Sequence, residues 1–194
     1  DKGAGAHNGR QRSLADIAKK SLIQQKYGEM LYKLIDSLQP KVVFELGTSL
    51  GISTAYLAAA SATAKVYTFE ACPATTHVAK QTFAALQLHN IFLRQGTFDK
   101  LLPIELTKQA SVDLAFIDGN HTYEATMRYF TMLLPKIGDN SVLVFDDIHW
   151  SVGMTKAWNQ IKKHKRVVLT IDLFFVGLVF FRKNLEAQHI VYRF

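Results

Sequence analysis

Four short apolar runs, at residues 42–46, 65–69, 112–117 and 141–145, recur along the chain with helix-length segments between them. Runs without polar alternation belong to strands buried on both faces, and connections long enough for a helix make such strands parallel. "IFLRQ" at 91–95 adds a weaker run between the second and third. The expected fold class is therefore α/β, a three-layer sandwich around a mostly parallel sheet. The tail departs from this rhythm. "VVLTID" (167–172) and "VGLVFFR" (176–182) stand only a few residues apart, too close for a crossover helix, so they are expected as an antiparallel hairpin at the sheet edge. Ahead of the first run, apolar residues from Leu14 to Leu38 recur at helical spacing, with Ser13 available as a cap and Pro40 just beyond the end. A helical extension over 13–38, in one helix or two, is expected to lead a single domain over 13–194. Residues 1–12, polar and glycine-rich, form a segment expected to be disordered or to fold over a ligand.

Composition narrows the function classes. At 194 residues and 48% hydrophobic content, the chain can bury one full core. A single cysteine, Cys72, excludes an internal disulfide framework and a thiolate zinc cluster. That fits a reducing compartment, so a cytoplasmic protein is expected. No apolar run reaches the roughly 18–20 residues of a membrane span, and no membrane partner is expected. The formal charge is +7, and "KKHKR" at 162–166 is its densest cluster. At the end of an expected helix such a run reads as a solvated face set favourably against the helix dipole, so nucleic acid is not the expected partner.

In an open α/β sheet, ligands lie beyond the carboxyl ends of the strands, and the first strand-to-helix turn carries much of the site. Here that turn reads "ELGTSLG" (45–51), with Glu45 where a dinucleotide fingerprint has its first glycine. A carboxylate repels diphosphate and favours a cationic group. The second strand ends in "VYTFEACP" (66–73), which places Glu70 where an acid can accept hydrogen bonds from both hydroxyls of a ribose. A ribose-bearing, positively charged ligand without phosphates is described by S-adenosylmethionine.

Taken in order, "FELGTSLGIST", "VYTFEACP", "VDLAFIDGNHTYEATMRYF" and "VLVFDDIHW" resemble the successive motifs of the class I S-adenosylmethionine-dependent methyltransferases. They are most similar to the small-molecule O-methyltransferases of macrocin and catechol type. The resemblance spans about residues 40–182 and implies a Rossmann-like sheet with a reversed edge strand. It implies a cofactor site of Glu45, Gly47, Thr48, Ser49, Gly51 and Ser53 at the first turn, Glu70 and Ala71 at the second, and Gly96, Thr97 and Phe98 of "GTFDKLLP" near the adenine, completed by Asp118.

Asp118 follows "VDLAFI", and Asp146 and Asp147 follow "SVLVF". On neighbouring strands these three acids converge at one carboxyl edge and repel one another unless a cation or shifted pKa values relieve them. Magnesium, a hard ion with oxygen ligands, would do so. The resemblance implies the same metal set, Asp118, Asp146 and Asp147, although the catechol-type enzymes often carry Asn where Asp147 stands. It also places His121 of "DGNH" as general base, with Asp118 beside it in catalysis. The function expected is methyl transfer from S-adenosylmethionine to a hydroxyl of a small-molecule acceptor; a homo-oligomer is left open. Two other readings stay in view. Asp118, His121, Asp147 and His149 contain two histidines and carboxylates for an iron oxygenase or hydrolase, and the chain could instead be a non-catalytic S-adenosylmethionine-binding domain.

Overall fold

The computed structural model describes residues 23–183 and 186–193. The polar segment 1–12 and the first part of the expected helical extension, residues 13–22 with Ser13, lie outside the described residues. The chain divides after Leu102 into two compact units, taken here in turn.

The first unit opens with helix α1 (Gln25–Leu38), which buries Tyr27, Leu31 and Ile35, one turn apart on a single face. It stops where Gln39 enters the left-handed region (φ 46°) with its N–H on the Ile35 carbonyl, and Pro40 follows. Strands β1 (Val42–Leu46), β2 (Lys65–Glu70) and β3 (Ile91–Gln95) are parallel in the order β3-β2-β1. Helices α2 (Ile52–Ala59) and α3 (Pro73–Ala85) connect them. Val43, Phe44, Leu46, Val66 and Phe69 are fully buried, as runs apolar on both faces require. β3 is only half-buried, which accounts for its weaker signature. Helix α4 (Phe98–Lys108) runs through the division.

The second unit orders its strands β4-β5-β7-β6-β8. β4 (Val112–Ile117) and β5 (Ile137–Phe145) are parallel across α5 (Tyr123–Leu133), whose start is capped by Thr122 accepting the Ala125 N–H. Ser151 caps α6 (Val152–Lys162) in the same way through the Met154 N–H. β6 (Leu169–Asp172) and β7 (Gly177–Phe180) form the expected antiparallel hairpin, with β7 also antiparallel to β5. The hairpin does not end the sheet: β8 (Gln188–Val191) pairs parallel with β6 on its far side. All four residues of β8 are exposed, so it carries no apolar pattern from which a strand could be read. Among the described residues no helix is long and apolar enough to cross a membrane.

Candidate active site

Strand register assembles the first unit's ligand edge. Leu46 lies opposite Phe69, and Glu70 lies opposite Gln95, so Gly47, Glu70 and Gly96 arrive side by side at the carboxyl ends. The backbone seals this edge: Gly47 and Thr48 donate to the Phe69 carbonyl, both at 3.1 Å, and Gly96 donates to that of Glu70 at 2.8 Å. The turn then needs left-handed backbone at Gly47 (φ 115°), Ser49 (φ 48°) and Gly51 (φ 85°). At Gly51 a Cβ would also lie 2.6 Å from the Phe83 ring, so glycine is required on two counts.

Glu70 is half-exposed and its carboxylate is aimed by the turn. Its Oε2 accepts the Ser49 N–H at 2.9 Å and its Oε1 the Cys72 N–H at 2.8 Å. An ionised carboxylate has about four acceptor positions, so two such bonds leave capacity for the hydroxyls of a bound sugar.

Glu45 is placed differently from the sequence expectation of a carboxylate meeting a cationic ligand. It is wholly buried, and its Oε2 accepts from Thr54 and, at 2.6 Å, from Thr68. Thr68 in turn lies 2.5 Å from the Thr48 hydroxyl. The carboxylate thus ties β1 to β2, to the turn and to the first turn of α2. Thr48, Gly51, Ser53 and Phe98 are likewise buried and shape the edge from behind, while Gly47, Ser49, Ala71, Gly96 and Thr97 reach its surface. Thr68 was not singled out from the sequence; its signal was a hydroxyl inside an apolar strand, which must find a buried partner.

In the second unit, β4 and β5 set Ile117 opposite Phe145, and the Asp146 N–H donates to the Ile117 carbonyl at 3.0 Å. Asp118 and Asp146 therefore leave the sheet together. His121 is brought to them by the turn "DGNH": Asn120 is left-handed (φ 55°) and its amide donates to the Tyr129 hydroxyl of α5 at 2.7 Å. The His121 Nε2 then stands 3.5 Å from Asp118 Oδ1 and 3.8 Å from Asp147 Oδ2. Burial opposes protonation of this imidazole, but Asp118 and Asp147 outweigh it and hold its pKa above the ordinary histidine value. Burial first, then the charges of Asp118 and Asp147, push the Asp146 carboxyl up to about 9. Burial also raises Asp147.

As these side chains stand, the structure does not assemble Asp118, Asp146 and Asp147 into a metal site. Among the described residues no three or more His, Cys, Asp or Glu side chains form a group that could hold a metal ion. Burial and the neighbouring acids instead raise the pKa of Asp146 and Asp147. His149 faces away from an iron arrangement: its Nε2 lies 2.8 Å from Asp172 Oδ2 and its Nδ1 3.4 Å from the Thr155 hydroxyl. The buried Asp172, which the sequence reading did not single out, also accepts from Trp158 Nε1 at 3.1 Å and from the Phe174 N–H at 2.9 Å.

A family model described as a methyltransferase domain matches residues 44–148. No curated protein matches the chain. Among solved structures it is similar to cofactor-bound Rv0187 from MTB, at 22% identity and a TM-score of 0.75 over 85% of this chain and 84% of that one. It is similar to the O-methyltransferase from Bacillus cereus in complex with SAH, at 23% identity and a TM-score of 0.71, covering 83% of each. A third is the O-methyltransferase TomG from Streptomyces achromogenes, involved in tomaymycin synthesis and in complex with SAM, at 20% identity and a TM-score of 0.70 over 83% and 82%. At such identities the likeness establishes the fold, an α/β Rossmann-like architecture with antiparallel strands at its C-terminal end.

Proposed function

Since the chain belongs to the methyltransferase-domain family, whose model matches more than half of it, we propose that it moves a methyl group from S-adenosylmethionine to a hydroxyl oxygen of a small molecule. The reading takes residues 13–194 as one domain and assigns the glycine turn to the donor and the acid–histidine cluster to the acceptor. Donor sets of the right chemistry support it: Glu70, held by two backbone N–H groups, suits a ribose diol, and Ser49, Gly47 and Gly96 leave the edge open beside it. When bound, the donor supplies an electrophilic methyl on a positively charged sulfur, and similar folds are recorded with SAM and SAH.

One observation carries the reading, the lodging of His121 between Asp118 and Asp147. An imidazole so placed can take the acceptor's hydroxyl proton, because the two carboxylates stabilise the cation that results. Asp118 orients the ring through Nε2, and Asp147 offers a second contact to the same atom. Magnesium, expected from the three acids, does not fit the side chains as they stand, and no step here runs through it. On this reading EDTA leaves turnover unchanged; its loss would put a cation among Asp118, Asp146 and Asp147. The lone cysteine suits a reducing compartment, and we assign the protein to the cytoplasm.

Calorimetric titration with S-adenosylmethionine and S-adenosylhomocysteine tests the donor. Micromolar binding of both is expected, with Glu70→Gln weakening it about tenfold, the equivalent of one hydrogen bond to a charged group. Absence of binding by the folded protein overturns the reading. With an acceptor in hand, His121→Gln should lower kcat by about 10²–10⁴ with KM little changed.

A further inference from the structure

The basic run 162–166 does not sit on one helix face. Only Lys162 lies in the last turn of α6, which the N–H groups of Lys163 and His164 close on the carbonyls of Gln160 and Ile161, at 3.2 and 3.0 Å. Lys165 and Arg166 stand beyond the helix, in a turn closed by the Val167 N–H on the His164 carbonyl at 2.8 Å. With Lys183, which follows β7, they rim a cavity of about 220 Å³ in the second unit, lined otherwise by Asp139, Val168 and Phe181. This cavity lies at the amino end of β5. At about 3.3 Å per residue, Asp139 stands roughly 20 Å along that strand from Asp146, so the cavity is separate from the acid–histidine cluster.

The rim is held in place. Arg166 Nη1 donates to the Leu134 carbonyl and Nη2 to that of Ile137, each at 2.5 Å, and the guanidinium lies 5.8 Å from the centre of the buried Phe181 ring. Two bonds fix the plane of the fork and use two of its five N–H groups, so three remain to donate. Asp139 is the one acid of the lining, and Lys183 takes it at 3.1 Å. Lys165 is exposed, and the lining offers it no second carboxylate. Three cations against one carboxylate leave the rim with two net positive charges. The imidazole of His164 feels this field: burial first, then the charges of Arg166 and Lys165, hold its pKa below the ordinary histidine value. A concave surface lined by one sign of charge gathers ions of the other.

We propose that this cavity binds the phosphate group of a soluble phosphomonoester, with Arg166 and Lys165 on its oxygens and Lys183 shared between it and Asp139. A phosphomonoester carries about −1.5 to −2 charge at pH 7, which matches the rim, whereas a carboxylate or a phosphodiester carries a single charge. The planar fork of Arg166 suits phosphate oxygens, and the two lysines add point charges beside it. Volume sets the rest of the ligand. A cavity of about 150 Å³ is known to accept benzene, so this one holds a phosphate and the first atoms esterified to it, which meet Val168 and Phe181. Neither the methyl donor nor the acceptor takes part in this site.

Methyl phosphate and dimethyl phosphate, a dianion and a monoanion of similar shape, test this by NMR titration of the full chain at constant ionic strength. Methyl phosphate should shift the amide signals of Lys165, Arg166 and Lys183 and bind about fivefold more tightly than dimethyl phosphate. Lys165→Gln should weaken it about threefold, and Lys165→Gln combined with Lys183→Gln about tenfold. Asp139→Asn should tighten it about threefold, because the competing acid is removed and Lys183 is freed. These three side chains are exposed, which keeps folding out of the readout. No shift at the three amides, equal affinity for dimethyl phosphate, wild-type binding by the double variant, or no gain in Asp139→Asn overturns the site. Phosphatidylcholine vesicles with and without phosphatidic acid check the source of the group: sedimentation of the protein with phosphatidic acid alone overturns the soluble ligand in favour of a lipid headgroup. S-adenosylhomocysteine titrated into the same samples keeps the two readings apart: if it fails to bind while methyl phosphate binds, the donor reading falls and the phosphate site stands.

Discussion

Replacing Thr68 by valine removes one oxygen and almost no volume, so the response isolates the buried polar chain behind the first turn. Two contacts are lost. Glu45, wholly buried, loses the 2.6 Å bond from Thr68, and the Thr48 hydroxyl, also wholly buried, loses its neighbour at 2.5 Å. A hydrogen bond contributes about 0.5–3 kcal/mol, most when one partner is charged, and a buried hydroxyl left without its partner costs about 1–3 kcal/mol. Thr54 still donates to the same Glu45 oxygen, which keeps the total toward the lower end, about 3 kcal/mol. Against a typical stability of about 5–15 kcal/mol this is a large loss. With an m-value of about 2 kcal/mol/M in urea it moves the midpoint down by about 1.5 M. Far-UV circular dichroism is the suitable probe, because both tryptophans, Trp150 and Trp158, lie far along the chain from this turn. S-adenosylhomocysteine affinity should fall with stability, since Thr48 precedes the Ser49 N–H that aims Glu70. A midpoint change under about 0.3 M would refute the reasoning and mean that Glu45 does not depend on Thr68.

Gly177→Ala drives a methyl into the indole of Trp158, 2.7 Å from Cη2, on a strand paired on both sides; overpacking of this kind costs about 1–3 kcal/mol, read as a lower thermal midpoint with a shifted Trp158 signal. Asp146 sets a pH dependence of stability. Its folded pKa, about 9, exceeds the unfolded value of about 4, so the stability it contributes is complete below pH 4 and is lost as pH rises toward 9. Asp146→Asn, which mimics the protonated acid, should flatten that fall in urea titrations run from pH 5 to 9, and an unchanged slope would remove Asp146 as its source. Asp172 has the opposite sign: burial raises its pKa, but the Phe174 N–H, His149 and Trp158 outweigh it and the net shift is downward. Its contribution is therefore present above about pH 4 and lost on further acidification, and Asp172→Asn should shallow the acid limb of the same curve.

The parallel strands were legible because burial on both faces leaves apolar stretches without alternation, as in Leu114–Ile117 and Val142–Phe145. β8 was not, since a fully exposed strand has no face to pattern and its existence depends on β6 offering a free edge. At the site, the chain order of the motifs predicted which residues reach the carboxyl edge, and register supplied the rest: Asp118 and Asp146 meet because Ile117 and Phe145 are paired. Side-chain direction was beyond it. Glu45 follows the buried Phe44 without alternation, and only the hydroxyls of Thr54 and Thr68, nine and twenty-three residues away, decide that it turns inward. Asp172 was hidden for the same reason, because its partners His149, Trp158, Phe174 and Arg193 are gathered from three segments of chain.

These acids separate by how their charge is answered. Glu45 is met by hydroxyl donors and Asp172 by two N–H groups, an imidazole and a guanidinium. For Asp172 these donors outweigh burial and hold its pKa below the ordinary carboxylate value. Asp146 is answered by other carboxylates, and it holds its proton to about 9. Proton chemistry near pH 7 requires groups whose two forms are close in energy there. Glu45 and Asp172 are supports by placement, one beneath the glycine turn and one behind the turn at Phe174, whereas Asp146, Asp147 and His121 all have their pKa values raised. A variant that unsettles a support should change affinity and stability together, whereas one that changes the proton set should alter the pH profile of turnover at nearly constant affinity for S-adenosylhomocysteine.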